Sequence, residues 1–114
     1  MWAANLDGNH QEVREFFRKE KYTVLDSYNF HNGFPDLMIY DHWNDRVVLV
    51  EVKDGSKPLS KRKLLPTQLR FIEKFPCVRV VKNLNECREL IWEWELLSKS
   101  KLEPSRFIPK EKQE

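Results

Sequence analysis

Two apolar runs, Leu37 to Tyr40 and Val47 to Val50, bracket the polar stretch Asp41-His42-Trp43-Asn44-Asp45. That arrangement leaves few options, because Asp and Asn form turns and short apolar runs on either side of such a stretch pair as a hairpin. Pro35 suits the first residue of a strand, where its missing N–H removes no ladder bond. The hairpin carries charged groups to one sheet edge. Asp36 opens the first strand and Glu51-Val52-Lys53 closes the second, so antiparallel pairing brings the two carboxyl groups together. Side chains alternate along a strand, which puts Glu51 and Lys53 on one face and Val52 on the other. Two carboxylates and an ammonium at one sheet edge suit metal-assisted phosphate chemistry.

The order Pro35-Asp36, hairpin, Glu51-x-Lys53 resembles the PD-(D/E)XK nuclease superfamily, which includes restriction endonucleases and archaeal Holliday junction resolvases. The surroundings are similar to its VRR-NUC branch: Gly33 before Pro-Asp, Gly55 after Glu-Val-Lys-Asp, and Pro66-Thr67-Gln68 opening the next apolar helix. Asp7-x-Asn9-x-x-Glu12-Val13, Gly33 to Leu37, Leu49 to Gly55 and Lys61-Arg62-Lys63-Leu64 further resemble small stand-alone nuclease-like proteins common in bacteriophage and prophage genomes. One departure is Leu65, which stands before Pro66 where such relatives tend to place a capping Thr.

The resemblance implies a Mg²⁺-dependent DNA endonuclease, with Mn²⁺ able to substitute, selecting branched, junction or flap DNA and leaving a 5′-phosphate. Asp36, Glu51 and the backbone carbonyl of Val52 would bind the metal. Lys53 would orient the attacking water, and Gln68 would contact the phosphate or that water. These nucleases commonly bring an acid from the first helix into the site, which selects Glu12, with Glu15 as its competitor. Resolvase-like members often work as dimers. Two other classes stay open, a catalytically weak or inactive nuclease-fold module that binds DNA, and a protein-interaction subunit.

The rest of the chain reads in order as αβββαβα, one α/β domain with a mixed sheet flanked by helices, over residues 1–100, followed by a polar tail over 101–114. At 114 residues the chain can bury one core. The first helix spans 9 to 20, with Asn9 as N-cap and Glu12 in capping-box spacing. The first strand runs from 21 to 30. Pro66 opens a second helix whose Leu65, Leu69, Ile72 and Phe75 recur at helical spacing. Residues 77 to 81 form a fourth strand, and 84 to 99 a third helix capped by Asn83 or Asn85. Its stripe of Leu90, Trp94 and Leu97 is widened by Ile91, Trp92 and Leu96, enough to suit a partner helix in a homodimer. Phe107 and Ile108 in the tail could pin it to a neighbour.

Composition excludes more than it selects. No apolar run approaches the ~18 residues of a membrane span. The N-terminal residues lack the pattern of a secretory signal, so cytoplasmic residence in a bacterial or phage-infected host cell is expected. Cys77 and Cys87 lack metal-ligand spacing and read as buried small hydrophobes. The net charge of +2 cannot by itself argue for a nucleic-acid partner. Distribution does, because Lys57, Lys61, Arg62 and Lys63 crowd the loop leaving the Glu51-Lys53 strand, where a DNA backbone would pass. His31, in the turn ahead of Gly33, is a further candidate for phosphate contact.

Overall fold

Alternation along the strands sorts a four-stranded sheet into a buried face and an open one. The structure, a computed structural model, describes residues 8–30, 32–61 and 63–101. Its elements are α1 (His10–Lys19), β1 (Thr23–Asp26), β2 (Leu37–Asp41), β3 (Arg46–Val52), a 3₁₀ turn (Leu59–Lys61), α2 (Pro66–Lys74), β4 (Arg79–Val81) and α3 (Leu84–Lys101). The order is αβββαβα, in one α/β domain. The sheet is mixed: β1, β2 and β3 pair antiparallel, and β4 returns parallel to β3 after α2.

Val24, Ile39, Val48, Val50, Val52 and Val81 line the buried face and pack with Val13 and Phe17 of α1 and with Cys87, Leu90, Ile91 and Trp94 of α3. Phe17 stacks on Trp94 with ring centroids 6.0 Å apart. Each such side chain, fully buried, stabilises the fold by about 1.5–3 kcal/mol. On the opposite face Leu25, Tyr40, Val47 and Val80 remain exposed. No helix among the described residues is long and apolar enough to cross a membrane.

Several local expectations change. Strand β1 ends at Asp26 rather than residue 30: Ser27 keeps one last bond to the Asp36 carbonyl, and the chain then turns, with the Phe30 N–H donating to the Ser27 carbonyl at 3.0 Å. Asn9 makes no side-chain cap and the Asn9–Glu12 capping box does not form. The Asn9 amide donates instead to the carbonyls of Lys53 and Lys82, at 3.1 and 3.2 Å, strapping the start of α1 to the ends of β3 and β4. The apolar stripe of α2 does not reach the core: none of its residues is buried, and Leu65, Leu69 and Phe75 are exposed. Strand β4 begins at Arg79, leaving Cys77 exposed while Cys87 is buried.

Helix α3 takes its cap from Asn83, whose side-chain oxygen accepts the Glu86 N–H at 2.9 Å. It runs on to Lys101, with Ser98 still buried. Ile91 belongs to the core, not to an outer face; Trp92 and Leu96 are exposed beside a half-exposed Leu97. Residues 102–114, with Phe107 and Ile108, lie outside the described residues.

Candidate functional site

The β2–β3 register places the site. Leu37 pairs with Val50, so the next pair outward is Asp36 and Glu51. Asp36 Oδ2 accepts the Val52 N–H at 2.8 Å, and its carboxyl lies beside that of Glu51. Strand alternation then sends Val52 into the core and leaves Glu51 and Lys53 together, both buried, with Lys53 Nζ 3.8 Å from Glu51 Oε2. Burial pushes the Asp36 carboxyl above its ordinary value. The Val52 N–H, His10, Glu51 and Lys53 pull it back only in part.

Two other segments hold this pair. Ser27 continues the β1–β2 ladder past the strand end, donating its N–H to the Asp36 carbonyl at 2.8 Å and its hydroxyl to the Pro35 carbonyl at 2.7 Å. This buried Ser clamps the backbone that carries Asp36. From the other side comes Gln68, in the first turn of α2. Its amide nitrogen donates to Glu51 Oε2 at 2.6 Å while its oxygen accepts the Leu65 N–H at 2.8 Å. Gln68 thus makes the half of a capping box that Leu65, with no side-chain acceptor, cannot reciprocate.

Gly33 is what lets α2 come so near. Its φ is +79°, and a Cβ there would run into the Thr67 carbonyl and lie 2.8 Å from the Gln68 nitrogen. Only glycine allows both the left-handed backbone and this approach.

Helix α1 presents a histidine instead of the expected acid. His10 is buried, bonds Asp26 Oδ1 through Nε2 at 2.8 Å, and lies close enough to Asp36 to stabilise its charge. Its Nδ1 has no hydrogen-bond partner among the described residues. Successive helical residues turn by ~100°, so His10 shares a face with buried Val13 and Phe17, while Glu12 points almost the opposite way. Glu12 is exposed and lines a groove of about 620 Å³ with Asp54, Ser56 and Lys82. Glu15 pairs with Arg14 and Arg18.

The structure therefore brings Asp36, Glu51, Lys53 and Gln68 together, with the Val52 main chain beside them, and does not bring Glu12. Lys57 and Lys63 are exposed, Lys61 lies in the 3₁₀ turn, and His31 and Arg62 fall outside the described residues. His10 and Ser27 are site-forming residues that motif spacing did not select, and Asn9, which the motif includes, straps rather than caps. A signal for His10 was present, since it falls on the helix face marked by Val13 and Phe17.

Two carboxyl groups in contact can share one proton or hold one cation between them. The donor set fits a hard ion that keeps most of its own waters. It does not fit a closed cage, because among the described residues no group of three His, Cys, Asp or Glu could hold a metal. In comparisons of the chain with family models, with curated proteins and with solved structures, nothing matches.

Proposed function

We propose that this chain is a divalent-cation-dependent deoxyribonuclease of restriction-endonuclease-like fold, cutting internal phosphodiester bonds in branched, junction or flap DNA. The observation that carries this reading is the Asp36–Glu51 carboxyl pair at the strand end, its Glu51 buried, with the Lys53 ammonium beside it. Asp36 and Glu51 would hold Mg²⁺ or Mn²⁺, with the Val52 carbonyl at the same strand end as a third oxygen. When bound, the ion lowers the pKa of a coordinated water and offsets charge on the phosphate.

The chain's own groups do the rest. Lys53, nearly dry, places a positive charge where the attacked phosphate gathers negative charge, and there it acts more strongly than in water. Gln68 holds Glu51 in one orientation, and the Val52 N–H does the same for Asp36. Lys57, Lys61, Arg62 and Lys63, on the loop leaving β3, would grip the DNA backbone without reading sequence. A non-cutting DNA-binding module is the second reading, favoured by the placement of Glu12 away from the carboxyl pair.

Labelled duplex, flap, four-way-junction and single-stranded DNA, incubated with and without Mg²⁺ or Mn²⁺, decides between them. Cleavage should require the ion, favour branched substrates, and disappear in Glu51→Ala while DNA binding survives. Undiminished cutting by Glu51→Ala defeats the proposal. Metal-independent binding with no cutting of any substrate selects the module.

A further inference from the structure

Beyond Gln68, the rings of Phe71 and Phe75 join those of Phe30 and Phe34 beside two unpaired cations of α2. Phe30, Phe34, Phe71 and Phe75 form a continuous ladder, with successive ring centroids 5.0, 5.2 and 4.7 Å apart. Such a ladder in a core would be fully covered. Here Phe30 and Phe75 are each 48% exposed, and α2 buries no residue at all. Beside the last two rings lies a pocket of about 290 Å³ lined by Asn32, Thr67, Arg70, Phe71, Lys74 and Phe75. Arg70 and Lys74 are exposed, and neither pairs with another described residue. Glu73, on the same helix, does not line the pocket.

From this juxtaposition we infer that the pocket takes an unpaired nucleotide of a DNA strand, its base against Phe71 and Phe75 and its phosphates on Arg70 and Lys74. Aromatic faces next to cations are what a single strand needs, because stacking accepts every base and the charges follow the backbone. Paired bases in a duplex keep their faces covered by neighbours and cannot use the rings.

A second copy of the chain fits less well. A two-fold interface would place Arg70 and Lys74 against a self-complementary patch that carries the same charges. Location adds to the argument: Asn32 and Thr67 wall the pocket, their chain neighbours Gly33 and Gln68 lie against each other, and Gln68 bonds Glu51. An unpaired strand seated here would emerge next to Glu51. The inference rests on the nuclease reading for its substrate, and it names the feature selected within that class, an unpaired segment adjoining the scissile phosphate.

Binding without metal tests it. Fluorescence anisotropy in EDTA would compare a labelled oligothymidylate with a blunt duplex, for wild type, Phe71→Ala, Phe75→Ala, and Arg70→Gln combined with Lys74→Gln. Thermal melts would check folding, and exposed Phe75 supplies the variant least able to disturb it. Phe75→Ala should weaken single-strand binding about tenfold and duplex binding far less. The double Gln variant should flatten the single-strand salt slope by about 1.4, at ~0.7 per lost phosphate contact.

Wild-type single-strand affinity in Phe75→Ala overturns the pocket. So does sedimentation of a dimer that Phe75→Ala dissolves while single-strand affinity is unchanged. Glu51-dependent cleavage together with Phe75-independent binding removes the pocket and leaves the nuclease; Phe75-dependent binding with no cleavage of any substrate does the reverse.

Discussion

Gln68 and Glu51, on α2 and β3, are joined by a 2.6 Å hydrogen bond, and the other end of the same amide accepts the Leu65 N–H. One side chain thereby ties the first turn of a helix that buries nothing to a carboxylate that is almost wholly buried. Partners that orient a metal ligand typically contribute 10–100-fold to affinity or activity. Gln68→Ala should therefore lower Mg²⁺ affinity or cleavage by about that factor. Calorimetric titration beside cleavage rates would measure it, and an unchanged affinity with an unchanged rate would remove Gln68 from the site.

Asp36 should behave as a liability to the fold without metal. Burial raises its pKa, so folding disfavours its ionised form. Asp36→Asn keeps an acceptor for the Val52 N–H and removes the charge. In EDTA the variant should melt above wild type. Mg²⁺ at 100 times its Kd should stabilise wild type by about 2.7 kcal/mol and leave Asp36→Asn unmoved. A lower melting temperature for the variant in EDTA would contradict this account of the pair.

Gly33→Ala should act on both fold and site. A side chain there faces a left-handed backbone angle and the Thr67 backbone at once. We expect a loss of about 1–3 kcal/mol in denaturant unfolding. Cleavage should fall further than stability explains, because the shift that relieves the clash moves Gln68 off Glu51. Equal stability for Gly33→Ala and wild type would mean that the loop yields at no cost.

At low pH one sensitive group is Asp26. Burial pushes its carboxyl up, but hydrogen bonds from His10 and Arg14 outweigh that and leave it below the ordinary value of 3.8. A depressed carboxyl stabilises the fold above its unfolded pKa and ceases to as pH falls through the folded value. The loss should therefore fall below pH 3.8. Melting temperatures followed downward from about pH 5 should drop more steeply for wild type than for Asp26→Asn, which is already destabilised at neutral pH by about 1–3 kcal/mol. Parallel curves for the two proteins would refute this.

On α1, Glu12→Gln should leave cleavage near the wild-type rate, whereas His10→Ala should reduce it through Asp36. The family resemblance alone would rank them the other way. Side-by-side rates on one branched substrate distinguish the two; a severe loss in Glu12→Gln would mean that α1 turns toward the site when DNA binds.

What could be read from the residues in order was local. The hairpin, the pairing of Asp36 with Glu51 and the opposite facing of Val52 follow from period-two alternation and one short turn, which act within about fifteen residues of chain. The element order was legible for the same reason, since each helix and strand carries its own period. The rotation of α1 was not legible from motif spacing. Phe17 against Trp94 and the Asn9 strap to Lys53 and Lys82 set which side chain reaches Asp36, and these contacts join distant parts of the chain. The exposure of α2 was hidden likewise: its apolar positions have helical spacing whether or not anything packs on them. A periodic pattern states which residues share a face, and only the packing of other elements decides what that face meets.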